Sequence, residues 1–505
     1  MAQMQKTRVS VERKSWSEYQ GDLLAVGLFK DAKTLPRELA RLDEMTGGVA
    51  GNLLKIGDFA GKTNETALVY TKKAKFPRVL LVGLGERNKL KINNLRQAAG
   101  VAARIADRLG ATRVGLALHL PVEKLDPRQV GQAITEGTIV GRYDYRDFLP
   151  EKENGKSTPK MEIAILEPDG DAARDLSKGN KSGLILAEAQ NRARQLSNTP
   201  GNIINPPVLA REAQRLARQF GLKCKIFDDK QLQRMGMNTI LAVGSGSASK
   251  PRLIMLEHPG RRKGGNPDVV LVGKAITFDT GGISIKPSQN METMKYDKSG
   301  GCDVIAALTA AAELKLPLRV VGLIPTAENM PSGTSYRPGD IIRTFSGKTV
   351  EINNTDAEGR LILCNALAYA ARMKPGAILD IATLTGAMRV ALGEAYAGVF
   401  TNKPELQAQV IEAAQRAGEP LWPMPIGPEY LENMKSAMAD LKNTGPRDGG
   451  SCNAAAFLQE FIKPTPWVHI DIAAVGETDK GRPWFGKGAT GFGVRLMVEF
   501  LREYR

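Results

Sequence analysis

Three short segments concentrate the residues able to do chemistry. The first, Val272-Gly-Lys-Ala-Ile-Thr-Phe-Asp-Thr-Gly-Gly-Ile-Ser-Ile-Lys-Pro287, holds Lys274, Asp279 and Lys286 around a Gly-Gly pair. Glycines beside an acidic residue let the backbone come close to a ligand. The second, Met294-Lys-Tyr-Asp-Lys-Ser-Gly-Gly301, sets Asp297 just ahead of a predicted helix. The third, Asn353-Asn-Thr-Asp-Ala-Glu-Gly-Arg360, supplies Asp356 and Glu358 in a turn ending at Gly359. Taken singly, each has an ordinary explanation. An Asp-x-Glu turn is usually solvated, an Asn-Thr-Asp stretch usually caps a helix, and a strand-end lysine usually snorkels to water.

Taken together, the segments supply four carboxylates and two lysines. Carboxylates brought within a few ångströms repel one another unless protonated or bridged by cations. Two divalent ions roughly 3.5–4 Å apart are the usual solution, and they activate water and polarise a carbonyl. Only three histidines are present, His119, His258 and His469, all far apart. Zinc motifs with two histidines on one helix are therefore excluded, and a catalytic metal would have mostly oxygen ligands. The four cysteines, Cys224, Cys302, Cys364 and Cys452, form no Cys-x-x-Cys pair and read as reduced thiols.

The elements that must position these groups alternate along the chain. Short apolar or β-branched runs at Leu23–Phe29, Thr66–Thr71, Arg78–Gly83, Arg113–Leu118 and Met161–Leu166 predict strands. Leu95–Leu109 and Val130–Arg142 predict helices between them, so residues 1–170 read as an α/β domain with a largely parallel sheet. Glu151–Lys160 reads as a charged loop. Residues 171–196 read as a connecting helix, with Gly only around Lys178–Gly183. The turn-rich Ser197–Pro207 then opens a second α/β domain, 197–505. In it, Asp268–Gly273, Leu318–Leu323 and Ala377–Ala382 predict strands, and Val208–Phe220, Ser299–Leu314 and Arg360–Met373 predict helices. The candidate residues fall after strand ends, where open α/β sheets form their sites.

Length and composition agree with two or three globular domains: 505 residues, 42% hydrophobic and 25% charged. No apolar run reaches the roughly 18 residues of a membrane span. The N-terminus lacks the apolar centre of a signal peptide, which places the protein in the cytoplasm, away from membranes. The net charge of +16 is unevenly spread. Residues 1–300 carry 49 basic and 32 acidic residues, and residues 301–505 carry 21 and 22. The densest basic block, 51–100, includes Lys72, Lys73, Lys75 and Arg78. Such a bias attracts polyanions, and a nucleic-acid-binding role for the basic half is a second functional reading. A solvated basic surface is the simpler one, since no nucleic-acid motif accompanies the charge.

The same segments carry a family resemblance. Asn354-Thr-Asp-Ala-Glu-Gly-Arg-Leu361 resembles the signature of the leucyl (cytosol) aminopeptidase family, bacterial type. The 272–287 and 294–297 segments resemble its two other metal-binding segments, and Ala382-Thr-Leu-Thr-Gly386 and Gly488-Ala-Thr-Gly491 follow in the same order. The resemblance implies a small N-terminal, macro-like α/β domain and a larger zinc-peptidase-like α/β domain with a mixed central sheet. It implies hydrolysis of N-terminal residues, leucine and others, from peptides. It assigns Lys274, Asp279, Asp297, Asp356 and Glu358 as ligands of two divalent metals, manganese or zinc, with Asp279 and Glu358 bridging. Lys286 would polarise the scissile carbonyl and stabilise the gem-diolate, and Arg360 would hold a bicarbonate ion acting as general base. Thr383 and Gly386 would line the pocket for the substrate's first side chain. A homohexamer is implied as well.

One position departs from the family pattern. After the metal-binding aspartate many members carry methionine, and here it is Lys298. Either its methylenes line the pocket and its ammonium escapes to water, or the pocket favours acidic or polar side chains over leucine. A third function, another bimetal hydrolase such as a phosphoesterase, is opposed by the intact lysine pair and Arg360.

Overall fold

The alternation of short apolar strands with amphipathic helices produces two sheets, each with its own helices. The computed structural model describes residues 7–30, 32–72, 75–120, 122, 125–149, 160–261 and 264–504. The chain divides into two units, Met1–Asn191 with Lys480–Lys487, and Arg192–Asp479 with Gly488–Arg505. The division falls within a 29-residue helix, Gly170–Asn198. That helix runs unbroken through Lys178–Gly183. A Cβ at Gly179 would stand 1.9 Å from the carbonyl oxygen of Arg128, so glycine there permits close packing on the helix Pro127–Arg142.

The first unit's sheet has six strands: β1 (Thr7–Glu12), β2 (Leu23–Phe29), β3 (Thr66–Tyr70), β4 (Arg78–Gly85), β5 (Arg113–Ala117) and β6 (Met161–Leu166). Their spatial order is β1-β6-β5-β2-β4-β3. All neighbours are parallel except β3, which pairs antiparallel with β4 at the edge. β2 is buried along its whole length, as expected of a central strand covered on both faces. Helices Ile92–Arg108 and Pro127–Arg142 pack on the sheet, tied to each other by the buried Arg96–Glu136 pair at 2.6 Å. Within the basic block Lys72 and Lys75 are exposed and Arg78 is half-buried, while Lys73 lies outside the described residues. Of the expected charged loop Glu151–Lys160, residues 151–159 also lie outside them.

The second unit holds a nine-stranded mixed sheet. It comprises β7 (Lys223–Phe227), β8 (Arg252–His258), β9 (Val269–Gly273), β10 (Ala275–Asp279) and β11 (Val320–Asn329). It continues with β14 (Ala377–Ala382), β15 (Ala397–Thr401), β16 (Leu421–Pro423) and β18 (Trp467–Asp471). The order is β16-β15-β18-β14-β9-β11-β8-β7, with β10 paired to β11. β18, β14, β9 and β11 are mutually parallel at the centre, and antiparallel pairings flank them. β9 and β14 are fully buried and, apart from Asp380 of β14, apolar, as parallel strands covered by helices require. A small sheet of β12 (Ile341–Arg343), β13 (Thr349–Glu351) and β17 (Leu441–Lys442) leads into the acidic turn at 353–360. A two-stranded ribbon of β19 (Glu477–Thr478) and β20 (Gly488–Ala489) is the remaining sheet. Among the described residues, no helix is long and apolar enough to cross a membrane.

Candidate active site

The carboxyl ends of β9, β10, β11 and β14 converge, and the candidate residues sit on them. β9 stops at Gly273, and Lys274 follows with its backbone N–H bonded to the carbonyl of Ile381 on β14. Its ammonium is buried, 3% exposed. It donates to Asp297 Oδ1 at 2.8 Å, Glu358 Oε1 at 2.8 Å and the carbonyl of Thr383 at 2.9 Å. The snorkelling expected of a strand-end lysine does not occur, because two carboxylates hold the ammonium inside. Asp279 ends β10, and its Oδ1 accepts from the Gly281 N–H at 2.9 Å and Asn329 Nδ2 at 2.8 Å. Lys286 Nζ lies 2.9 Å from Asp279 Oδ2 and pairs with Asp356.

The acidic turn is shaped by neighbours rather than by its own sequence. Thr355 Oγ1 donates to the carbonyl of Gly281 at 2.6 Å, and the Thr355 carbonyl accepts from Asn329 and Tyr336. Asn443, just past β17, bonds Asn353, Asn354 and Ala357 and takes Arg360 Nη1 on its carbonyl at 2.8 Å. The chain kinks at Gly359, where the helix Gly359–Arg372 begins. A Cβ at Gly359 would stand 2.6 Å from Lys274 Nζ, so no other residue lets the lysine reach Glu358 undisturbed.

Single ligand atoms of Asp279, Asp356 and Glu358 all lie within 4.8 Å of one another. Asp297 stands outside this triad, on the Lys274 side, with its Oδ1 also accepting from Thr383 Oγ1 at 2.7 Å. Burial pushes Asp279 up to about 6 and Asp297 well above the usual carboxylate range, and raises Asp356 too. Glu358 is the exception. Burial acts on it likewise, but the two lysine charges outweigh it and lower it. The same carboxylates outweigh burial at Lys274 and Lys286 and raise both. Asp297 Oδ2 and Glu358 Oε2 are buried and have no hydrogen-bond partner among the described residues, an arrangement that costs energy unless a cation completes it. The donor set therefore fits hard divalent ions.

These groups form one end of a cavity of ≈ 460 Å³. Lys274, Asp279, Lys286, Asp297, Asp356, Glu358, Thr383 and Gly386 all line it. Arg360 is not in the lining. Its guanidinium is buried, which lowers it to about 10, and its Nε has no hydrogen-bond partner among the described residues. Lys298 requires a correction. It is not in the cavity wall, and its ammonium is fully buried, bonded to the carbonyl of Ser197 at 2.9 Å and to that of Lys295. It neither reaches water nor presents charge to a substrate, because its side chain turns back onto these two carbonyls. Methionine does line the cavity, at Met294. Sequence reasoning passes over Asn329, fully buried and bonded to both Asp279 and Thr355, because it ends β11 at Leu323. It also passes over Arg389, Glu477 and Asp479, which line the same cavity.

A mixed α/β sheet with carboxylates and lysines gathered at its strand ends defines the class, an α/β enzyme with an oxygen-rich site. Comparison with known proteins supplies the family. The catalytic domain of the cytosol aminopeptidase family matches residues 191–498, and its N-terminal domain matches 25–152. A probable cytosol aminopeptidase of a Geobacter species is 41% identical over 498 residues, covering 98% of this chain and 100% of the relative. One from Aquifex aeolicus is 42% identical, covering 99% of each. Among solved structures, a mutant of tomato leucine aminopeptidase superposes with TM-score 0.89 at 32% identity, over 99% of this chain and 97% of that one. The bottromycin maturation enzyme BotP in complex with Mn gives 0.83 at 34% identity, over 95% and 99%. The chain belongs to the cytosol aminopeptidase family. It is an aminopeptidase, a hydrolase of peptide bonds.

Proposed function

We propose that the chain removes N-terminal residues, leucine among them, from peptides with two divalent cations held by Lys274, Asp279, Asp297, Asp356 and Glu358. The observation that carries this reading is the convergence of three carboxylates, Asp279, Asp356 and Glu358, with Asp297 joined to them through Lys274, and two buried oxygens, Asp297 Oδ2 and Glu358 Oε2, that have no hydrogen-bond partner among the described residues. Manganese or zinc suits the set, and the Mn complex of the bottromycin enzyme supports the former. When bound, the cations supply Lewis acidity, lowering the pKa of water and polarising a carbonyl. Asp279 and Glu358 would be the two carboxylates shared between the cations. Lys274 serves as a ligand only as a neutral amine, so it gives up its proton when cations replace it as the partner of Asp297 and Glu358. Lys286, less buried than Lys274, faces the cavity and stabilises negative charge developing on the substrate's carbonyl oxygen. Arg360 would hold a bicarbonate ion, which would serve as general base; its buried Nε, without a hydrogen-bond partner among the described residues, supports this role. Asn443 fixes Arg360 through Nη1.

Family membership extends the proposal to a cytoplasmic homohexamer. Sedimentation velocity tests the assembly, and a monomer at micromolar concentration would refute it. The function is tested with metal-supplemented and chelator-treated protein on leucyl p-nitroanilide. Full activity after chelation rules out the metal mechanism.

A further inference from the structure

Lys298 presents no charge to the cavity, and charge of the opposite sign stands in the part of its wall formed by Glu477 and Asp479. We propose that Glu477, with Asp479 beside it, makes that wall a receptor for a basic N-terminal side chain, lysine or arginine. The inference rests on the aminopeptidase reading and names the substrate class of the same site.

Glu477 lies in β19, paired opposite Ala489 of β20. It follows Gly476, where a Cβ would stand 3.2 Å from Thr383 Cγ2. Thr383 in turn bonds Asp297 and Lys274. Glu477 is thus fixed one residue from the wall that carries the catalytic cluster. Its Oε1 accepts from Arg389 Nη1 at 2.9 Å, while its Oε2 is buried and has no hydrogen-bond partner among the described residues. Arg389 is shared among three carboxylates, with Glu394 at 3.6 Å and Asp479 at 3.9 Å besides Glu477. The lining carboxylates Glu477 and Asp479 outnumber the one guanidinium they share, which leaves this part of the wall net negative, and Glu394 outside the lining draws on the same guanidinium. There is room for a long side chain, because no atom lies within 4 Å of a Cβ position on Gly386, another lining residue.

The three classes of side chain meet this wall differently. An ammonium or guanidinium donates to Oε2 and completes it. Leucine buries Oε2 against hydrocarbon without a donor. A carboxylate meets a net like charge. Burial raises Glu477 above the ordinary carboxylate value, a cost that a bound cation offsets.

The test measures kcat/KM of the Mn2+-supplemented full-length protein on lysyl, arginyl, leucyl and glutamyl p-nitroanilides. Lysyl and arginyl substrates are expected to exceed leucyl, with glutamyl lowest. The isosteric Glu477→Gln is expected to lower the lysyl-to-leucyl ratio at least tenfold. Asp479→Asn alters an exposed side chain that folding does not need, and is expected to lower the same ratio about twofold, as a rim charge should. A leucyl rate above lysyl in the unaltered protein overturns the proposal. So does a ratio that neither substitution moves. Should Glu477→Gln fail to fold, the ranking in the unaltered protein and Asp479→Asn decide. If no anilide is cleaved, leucyl included, the aminopeptidase reading itself fails and the proposal falls with it.

Discussion

At the scale of single residues, the site is a contest between burial and pairing. Asp356 and Glu358 each contribute an oxygen to the tight triad, whereas Lys286 touches it from the cavity side. Replacing either carboxylate by alanine is expected to abolish metal binding and turnover together. Lys286→Ala is expected to keep metal binding, read by calorimetry, while kcat falls at least a hundredfold, the usual scale for losing one charge-stabilising donor. Loss of metal affinity in Lys286→Ala would contradict this division of labour. Lys298 obeys the same rule away from the chemistry. Its buried ammonium is pulled down to about 8 by desolvation and is retained by two carbonyls. Since it does not line the cavity, Lys298→Met is expected to leave the leucyl-to-glutamyl ratio of kcat/KM within about twofold. A change of tenfold in that ratio would put the lysine back in the pocket.

At the scale of elements, what matters is how closely segments distant in sequence approach. Gly359 opens a helix, and its missing Cβ is the space that Lys274 occupies. Gly359→Ala is expected to cost at least tenfold in metal affinity, measured by chelator competition, although alanine favours helix by about 1 kcal/mol. An affinity equal to that of the unaltered protein would show that the loop yields freely. The ends of β9 and β14 and the three acidic segments are legible in the sequence because β9 is a continuous apolar run with Lys274 set after it and β14 is apolar but for Asp380, whereas β10, with Thr277 inside it and Asp279 at its end, gives no such signal. Their convergence is legible only through family resemblance, because nothing in Asn353–Arg360 shows that Asn443 and Asn329 fold it. β11 runs six residues beyond its sequence signal, since polar Thr326 and Asn329 lie in a strand that is buried nearly throughout. Glu477 escapes the sequence because a two-residue strand has no periodicity to detect, and its role depends on an ion pair with Arg389 across 88 residues. Lys298 departs from expectation because sequence adjacency to Asp297 does not say which way a side chain turns.

At the scale of the whole molecule, the catalytic sheet carries a charged group at its centre, and stability should register it. Asp380 of β14 and His469 of β18 are register partners on adjacent parallel strands. His469 Nδ1 lies 2.6 Å from Asp380 Oδ1, and Asp380 Oδ2 accepts from Trp467 Nε1 at 2.6 Å. Trp467 and Phe400 stack on the imidazole. Burial alone would lower the histidine, and Arg360 lowers it too. The charges of Asp380 and Asp471 outweigh both, so it is raised above its ordinary 6.5. A proton held more tightly in the folded than in the unfolded chain stabilises the fold fully below the unfolded pKa, near 6.5. That contribution is lost as pH rises through the higher folded value. A tenfold tighter hold on the proton in the folded chain corresponds to about 1.4 kcal/mol of stability. In Asp380→Asn the carboxylate is gone and burial dominates, so the histidine's contribution to the slope of stability against pH reverses sign. Thermal unfolding between about pH 6 and 9 should therefore show Tm declining more steeply in the unaltered protein than in Asp380→Asn. The comparison is of slopes, so a uniform loss of Tm from the substitution does not affect it. Parallel curves would mean that His469 is neutral in the fold and that Asp380 acts on it only as a hydrogen-bond acceptor.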